Sequence, residues 1–213
     1  MKNKNQHISE CINILARFCG KRDVKELTPS ALREKYGIGQ ADVMVLFGGS
    51  ILAGGDVLAQ AIKDRAARKY IIVGGAGHTT GTLRQLVKEI CPGIETSDLP
   101  EAEIFNRYLK YAYGLEADLL ETRSTNCGNN ITYLLNLLKE HDISFQNIIL
   151  CQDATMQLRM GEIPRLTDNE SGYGPNGKDF IAHVDIPSEV KDAFYELTKI
   201  YGEKTREANP LYA

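Results

Sequence analysis

Between residues 42 and 151 the chain switches repeatedly between short apolar runs and longer segments whose apolar residues recur every three or four positions. Asp42–Phe47 (DVMVLF) is almost unbroken in its hydrophobicity, the pattern of a parallel strand buried on both faces. Tyr70–Val73 predicts a second strand, Asp118–Thr122 a weaker third, and Asn147–Cys151 (NIILC) a fourth. The intervening segments predict helices over Asp56–Arg68, Leu83–Ile90, Pro100–Tyr113 and Asn130–Glu140, with another starting at Gln152-Asp153-Ala154-Thr155. Strands alternating with helices imply βαβ units and a largely parallel sheet, an α/β fold. Right-handed crossovers then bring every strand's carboxyl end to one edge.

The flanks read differently. Residues 1–40 predict a helical extension, with Ile8, Ile12, Leu15, Ala16 and Cys19 at helical spacing and Ser9 as its expected N-cap. A second helix is expected from Thr28-Pro29 through Tyr36, with proline at its first position and Gly37-Ile38-Gly39 ending it. Residues 41–213 read as one α/β domain. Residues 164–178 are turn-rich, Phe180–Ile186 predicts a short edge strand, and Pro187–Tyr201 a closing helix with Ser188 at its cap.

In an open parallel sheet, ligands bind outside the carboxyl ends of the strands. Four loops meet there. The first carries Gly48, Gly49 and Ser50, with Asp56 beyond them; the second is Gly74-Gly75-Ala76-Gly77-His78-Thr79-Thr80-Gly81. The third carries Glu121, Ser124, Thr125, Asn126, Asn129 and Asn130, and the fourth Gln152, Asp153, Thr155 and Met156, with Arg159 one turn further on. Glycine-rich loops between strand and helix let backbone N–H groups meet a polar or anionic ligand. Each of these residues also has a purely structural reading. The glycines make tight turns; Asp56, Thr125, Asn126, Asp153 or Thr155 cap helices; Glu101 and Glu103 complement a helix macrodipole; His78 and Arg159 face water. The second loop is G-x-G-x-x-x-G, not the dinucleotide fingerprint, and no acidic residue follows the second strand to hold a ribose. That weakens a conventional dehydrogenase or methyltransferase reading.

Composition narrows the field. The chain has 213 residues, of which 43% are hydrophobic and 25% charged, as in ordinary globular proteins. A net charge of −3 carries no electrostatic footprint for nucleic acid. No apolar run approaches the ~20 residues of a membrane span. Five cysteines at wide spacings, without a C-x-x-C, point to a reducing compartment, and a cytoplasmic location is expected. The P-loop, the G-x-S-x-G elbow and the H-E-x-x-H zinc site are absent from the sequence, and no metal site is expected.

The segments FGGS, VGGAGHTT, PEAEIF, ETRSTNCGNN, QDATMQLRM and GEIPRLTDNESGYGPNGKDFIAHVDIP resemble those of the bacterial YdcF-like proteins, part of a wider family that includes SanA and ElyC. The resemblance covers roughly residues 40–187. It implies a Rossmann-like three-layer α/β/α sandwich with a mainly parallel sheet and, here, added N- and C-terminal helices. It also implies S-adenosylmethionine binding. By the same resemblance Gly48, Gly49, Gly74, Gly75, His78, Thr79, Glu101, Glu103, Glu121, Ser124, Thr125, Asn126, Asn130, Gln152, Asp153, Met156 and Arg159 line the ligand cleft; Ser50, Asp56 and Gly77 join them from the loop reading. Two departures stand out. Asn129 replaces a glutamate usual in the family, and the family's tens of residues between the segments matching QDATMQLRM and GEIPRL are missing where Met160 meets Gly161. The close match on both flanks favours an omission from the sequence over a natural deletion.

The leading expectation is a small-molecule-binding protein that takes S-adenosylmethionine or a similar nucleoside at the sheet's carboxyl edge. The alternatives are a hydrolase or transferase acting on a phosphorylated or glycan-type envelope precursor, with His78, Asp153 and Arg159 as its catalytic candidates, and a non-catalytic regulatory module.

Overall fold

The computed structural model describes residues 4–154, 156–158 and 187–208, with side chains through residue 200. The elements are α1 (Lys4–Cys19), α2 (Pro29–Tyr36), β1 (Ala41–Phe47), α3 (Ala53–Lys63), β2 (Ala67–Val73), α4 (Thr80–Ile90), α5 (Glu101–Tyr113), β3 (Leu119–Glu121), α6 (Cys127–Glu140), β4 (Ile148–Cys151) and α7 (Ser188–Ala208). The predicted edge strand at Phe180–Ile186 and the Met160–Gly161 junction lie outside the described residues.

The chain divides into two compact units. In one, α1 packs against α7, and His7 Nε2 lies 3.6 Å from Glu196 Oε2. Ser9, expected as a cap, sits inside α1 and donates its hydroxyl to the Asn5 carbonyl instead. Ser188 is the first helical residue of α7 rather than its cap, and the Pro187 carbonyl accepts the Val190 N–H.

The other unit spans residues 22–153 and holds the sheet. It takes in α2, whose Leu32 is buried in the sheet's core, so the helical flank at residues 1–40 does not stay together as a single extension. Local signals fix α2 as read: Thr28 Oγ1 accepts the Ala31 N–H, Pro29 stands in the first turn, and Gly37 closes the helix at φ 71°.

The sheet has four parallel strands in the order β3-β2-β1-β4. Every residue of β1 except Asp42 is buried, as its continuous apolar run demands. From β1 the chain steps to β2 and then β3, and next crosses back over both to reach β4. The right-handed rule then puts α3, α4 and α5 on one face and α6 on the other, giving three layers. Met44, Leu46, Tyr70 and Ile72 meet Leu58, Leu83, Val87, Ile104, Phe105 and Leu109 in one core. The alternate residues Val43, Val45, Phe47, Ile71 and Val73 are equally buried on the opposite face, where α6 supplies Ile131, Leu134 and Leu138.

Several boundaries differ from the sequence pattern. The helix expected to run to Arg68 ends at Lys63; Arg65 takes a left-handed φ of 55°, and β2 already begins at Ala67. Tyr70 fixes this corner by donating its hydroxyl to the Ala61 carbonyl and accepting the Ala67 N–H. At the other end, α4 and α6 start three residues earlier than their apolar periodicity indicates, at Thr80 and Cys127.

Candidate functional site

Register sets the floor of the site. Phe47 of β1 pairs with Val73 of β2, Val73 with Glu121 of β3, and Leu46 with Cys151 of β4. Gly48, Gly74 and Gln152 therefore leave the sheet side by side. The strand order reverses between β1 and β4, which makes their carboxyl ends the topological switch point.

Glycine is required at this floor. A Cβ on Gly48 would lie 2.5 Å from Glu101 Oε2 and 2.8 Å from Glu101 Cβ, and one on Gly74 would lie 3.1 Å from Glu101 Cβ. A Cβ on Gly75 would come within 2.1 Å of the Ser124 carbonyl oxygen. The bare backbones let the first turn of α5 and the third loop close onto the strand ends. The Glu101 N–H donates to the Gly75 carbonyl at 3.0 Å and the Ala102 N–H to the Gly74 carbonyl at 2.8 Å. Gly75 N–H donates to Ser124 Oγ at 3.2 Å.

Glu101 is thereby held in the floor, with only 7% of its surface exposed. Its Oε1 accepts the hydroxyls of Thr80 at 2.8 Å and Thr79 at 3.1 Å. Thr80 Oγ1 also accepts the Gly77 N–H at 2.8 Å, so one hydroxyl links the glycine loop to the carboxylate. Glu121, buried at the end of β3, accepts the N–H groups of Arg123 at 2.6 Å and Ser124 at 3.1 Å and so shapes the third loop. Asn126 caps α6 by accepting the Asn129 N–H at 3.0 Å, and Asn129 Oδ1 accepts from Asn126 Nδ2 at 2.7 Å and from Thr125 Oγ1 at 3.3 Å. Asn129 thus serves the cap with both its backbone and its side chain. The Asn130 N–H bonds to the Asn126 carbonyl.

Across the switch point, Gln152 Nε2 donates to the Gly48 carbonyl at 3.1 Å, and Gln152 Oε1 accepts the Asp153 N–H at 2.8 Å. Asp153 Oδ2 stands 3.2 Å from where a Cβ on Gly49 would be. Cys151, just before them, has its thiol pushed up to about 11 by burial, against a smaller opposite pull from Arg22.

Thus Gly48, Gly49, Gly74, Gly75, Thr79, Glu101, Glu121, Ser124, Gln152 and Asp153 come together at one edge. Ser50 and Glu103 are half-buried at the starts of their segments, while Gly77 and His78 are exposed on the outer side of the second loop. Asp56 does not join the cluster. It lies in the first turn of α3, and its Oδ1 accepts the hydroxyls of Tyr108 at 2.5 Å and Tyr113 at 2.7 Å, which ties α3 to α5. Nor does Asp56 cap α3, whose N-cap position is Leu52. Met156 belongs to the unit that contains α1 and α7, and Arg159 lies outside the described residues.

Sequence reasoning missed Thr80 as the hub of the second loop, hidden because a threonine also suits a helix start. Glu101 is among the residues that the sequence resemblance assigns to the site, and the glycines at 48 and 74 are what let its carboxylate reach the ends of β1 and β2.

Sheet order, crossover hand and glycine-led strand ends define a Rossmann-like α/β/α domain. No protein-family model matches the chain. Among the described residues there is no cluster of three or more His, Cys, Asp or Glu side chains able to hold a metal, and no helix long and apolar enough to cross a membrane.

Proposed function

We propose that this chain is a YdcF-like small-molecule-binding protein that takes S-adenosylmethionine, or a nucleoside of the same kind, at the carboxyl edge of its sheet. The observation that carries the reading is the convergence, at the carboxyl edge beside the switch point, of glycine backbone from β1 and β2 with a mostly buried carboxylate against them. Gln152, Asp153 and Ser124 bring polar groups to that floor. All five cysteines are free thiols, in keeping with a cytoplasmic location.

The phosphate-directed reading has less support. The first N–H groups of α5 are spent on the Gly74 and Gly75 carbonyls, and one of α6 on the Asn126 side chain, which leaves fewer donors to cradle an anion. Isothermal titration of the full chain with S-adenosylmethionine tests the proposal. Saturable heat together with a rise in melting temperature supports it. Neither signal at millimolar ligand overturns it.

A further inference from the structure

Glu101 has two oxygens in unequal situations. Oε1 holds both threonine hydroxyls. Among the described residues Oε2 receives no hydrogen bond, and no lysine, arginine or histidine pairs with the carboxylate. Every fully buried side-chain oxygen and nitrogen in the described residues has a partner, so this unpartnered oxygen is not fully closed off from solvent. It lies beside the Gly48 and Gly74 backbones, 2.5 and 3.4 Å from where an added Cβ on each would stand. Three more carboxylates come from the same edge: Glu103 shares the first turn of α5, Glu121 ends β3, and Asp153 follows β4, while the Arg84 guanidinium is taken up by the Leu99 carbonyl. Arg123, the basic residue of the third loop, has its guanidinium over the Tyr133 ring, 5.3 Å from the centroid.

A mostly buried carboxylate with one saturated oxygen and one open oxygen calls for a charged donor, because a buried charge without a partner is costly. We propose that Glu101 Oε2 accepts a primary ammonium group, so that the ligand is a nucleoside bearing an amino-acid or amine tail rather than a plain nucleoside. This rests on the nucleoside reading above and adds to it the group that the floor selects.

The test is calorimetric, on the full chain and on Glu101→Gln, with three probes: S-adenosylmethionine, S-adenosylhomocysteine and 5′-methylthioadenosine. The first two carry the ammonium, and the third lacks it. Glu101→Gln is expected to weaken the first two about tenfold to a hundredfold and to leave the third unchanged, because charge-assisted hydrogen bonds contribute that much to affinity. Equal weakening of all three places the carboxylate on the nucleoside and overturns the inference; unchanged affinities overturn it as well. Should the variant not fold, the wild-type protein decides alone. A preference of at least about tenfold for S-adenosylhomocysteine over 5′-methylthioadenosine is expected, and equal affinity overturns the inference. If the wild type binds none of the three, the nucleoside reading fails. L-methionine then tests the ammonium contact separately: heat lost in Glu101→Gln keeps it, and no heat ends it.

Discussion

Thr80 Oγ1 lies 2.8 Å from Glu101 Oε1, so a hydroxyl in the first turn of α4 is donated to a carboxylate in the first turn of α5. The same oxygen accepts the Gly77 N–H, and Thr80 is only 2% exposed. Replacing it by the isosteric valine removes both bonds without changing volume. Thr80→Val is expected to destabilise the fold by about 1–3 kcal/mol in chemical denaturation, the cost of leaving buried polar groups unmatched. Thr80→Ser should recover most of that loss. Thr79→Val should cost less, since Thr79 is half-buried and its bond to Glu101 is longer.

Two glycines on either side of Thr80 should respond in opposite ways. A Cβ on Gly75 meets backbone on the third loop at 2.1 Å, whereas one on Gly81 meets nothing within 4 Å. Gly75→Ala is expected to cost about 3 kcal/mol or more, because neither backbone can yield without moving a strand end. Gly81→Ala, inside α4, should raise stability by about 0.5–1 kcal/mol through the unfolded chain's entropy and better helix propensity. Thermal melts of the two variants beside the wild type give the comparison directly.

At alkaline pH the tie between α3 and α5 should fail. Burial, and then the Asp56 carboxylate, push the Tyr108 phenol well above its ordinary value, and the hydrogen bond to Asp56 raises Tyr113 as well. Both groups stay neutral in the folded state while the unfolded chain ionises. Their contribution is therefore whole below the unfolded value of about 10 and is lost as pH rises through the folded one. Stability measured from pH 8 to 11 should fall in the wild type and fall less steeply in Tyr108→Phe.

Asp42 should govern the acid side. The backbone N–H of Gln146 is the main cause holding its carboxyl below the usual range, against a smaller opposing effect of burial, with Asn147 N–H and Arg68 adding to the pull. A depressed folded value means that the stabilisation is present above the unfolded value of about 3.9 and is lost as pH falls through the folded one. The slope of stability against pH between about 4 and 2 is expected to be shallower in Asp42→Asn than in the wild type.

Much of this architecture can be read from the residues. The DVMVLF run gives β1 because a strand covered on both faces tolerates little polarity, and Thr28-Pro29 with Gly37 marks α2 at both ends because capping chemistry is local. Arg65 shows where such reading stops. The chain turns through a left-handed residue at a position with no glycine or asparagine, so no punctuation separates α3 from β2. The site was legible as a set of loops on one edge, since strand order and crossover hand follow from the alternation. Its interior was not. Glu101 has the sequence signature of an ordinary first-turn acid, and only the absence of side chains at Gly48 and Gly74, far away along the chain, lets it enter the floor. Asp56 erred in the opposite direction, because two tyrosines more than fifty positions later claim its carboxylate.

The pairing of β1 gives the cleft an order of assembly. Its contacts with β2 close a short loop, but those with β4 wait for chain that lies 105 positions away, as the Asp42–Asn147 bond shows. Chains emerge amino-terminus first, and distant pairings form late. The floor with Glu101, drawn wholly from residues 41–125, can thus be complete on a nascent chain before Gln152 and Asp153 arrive as the far wall. The last strand to dock would then be the one that completes this edge of the sheet.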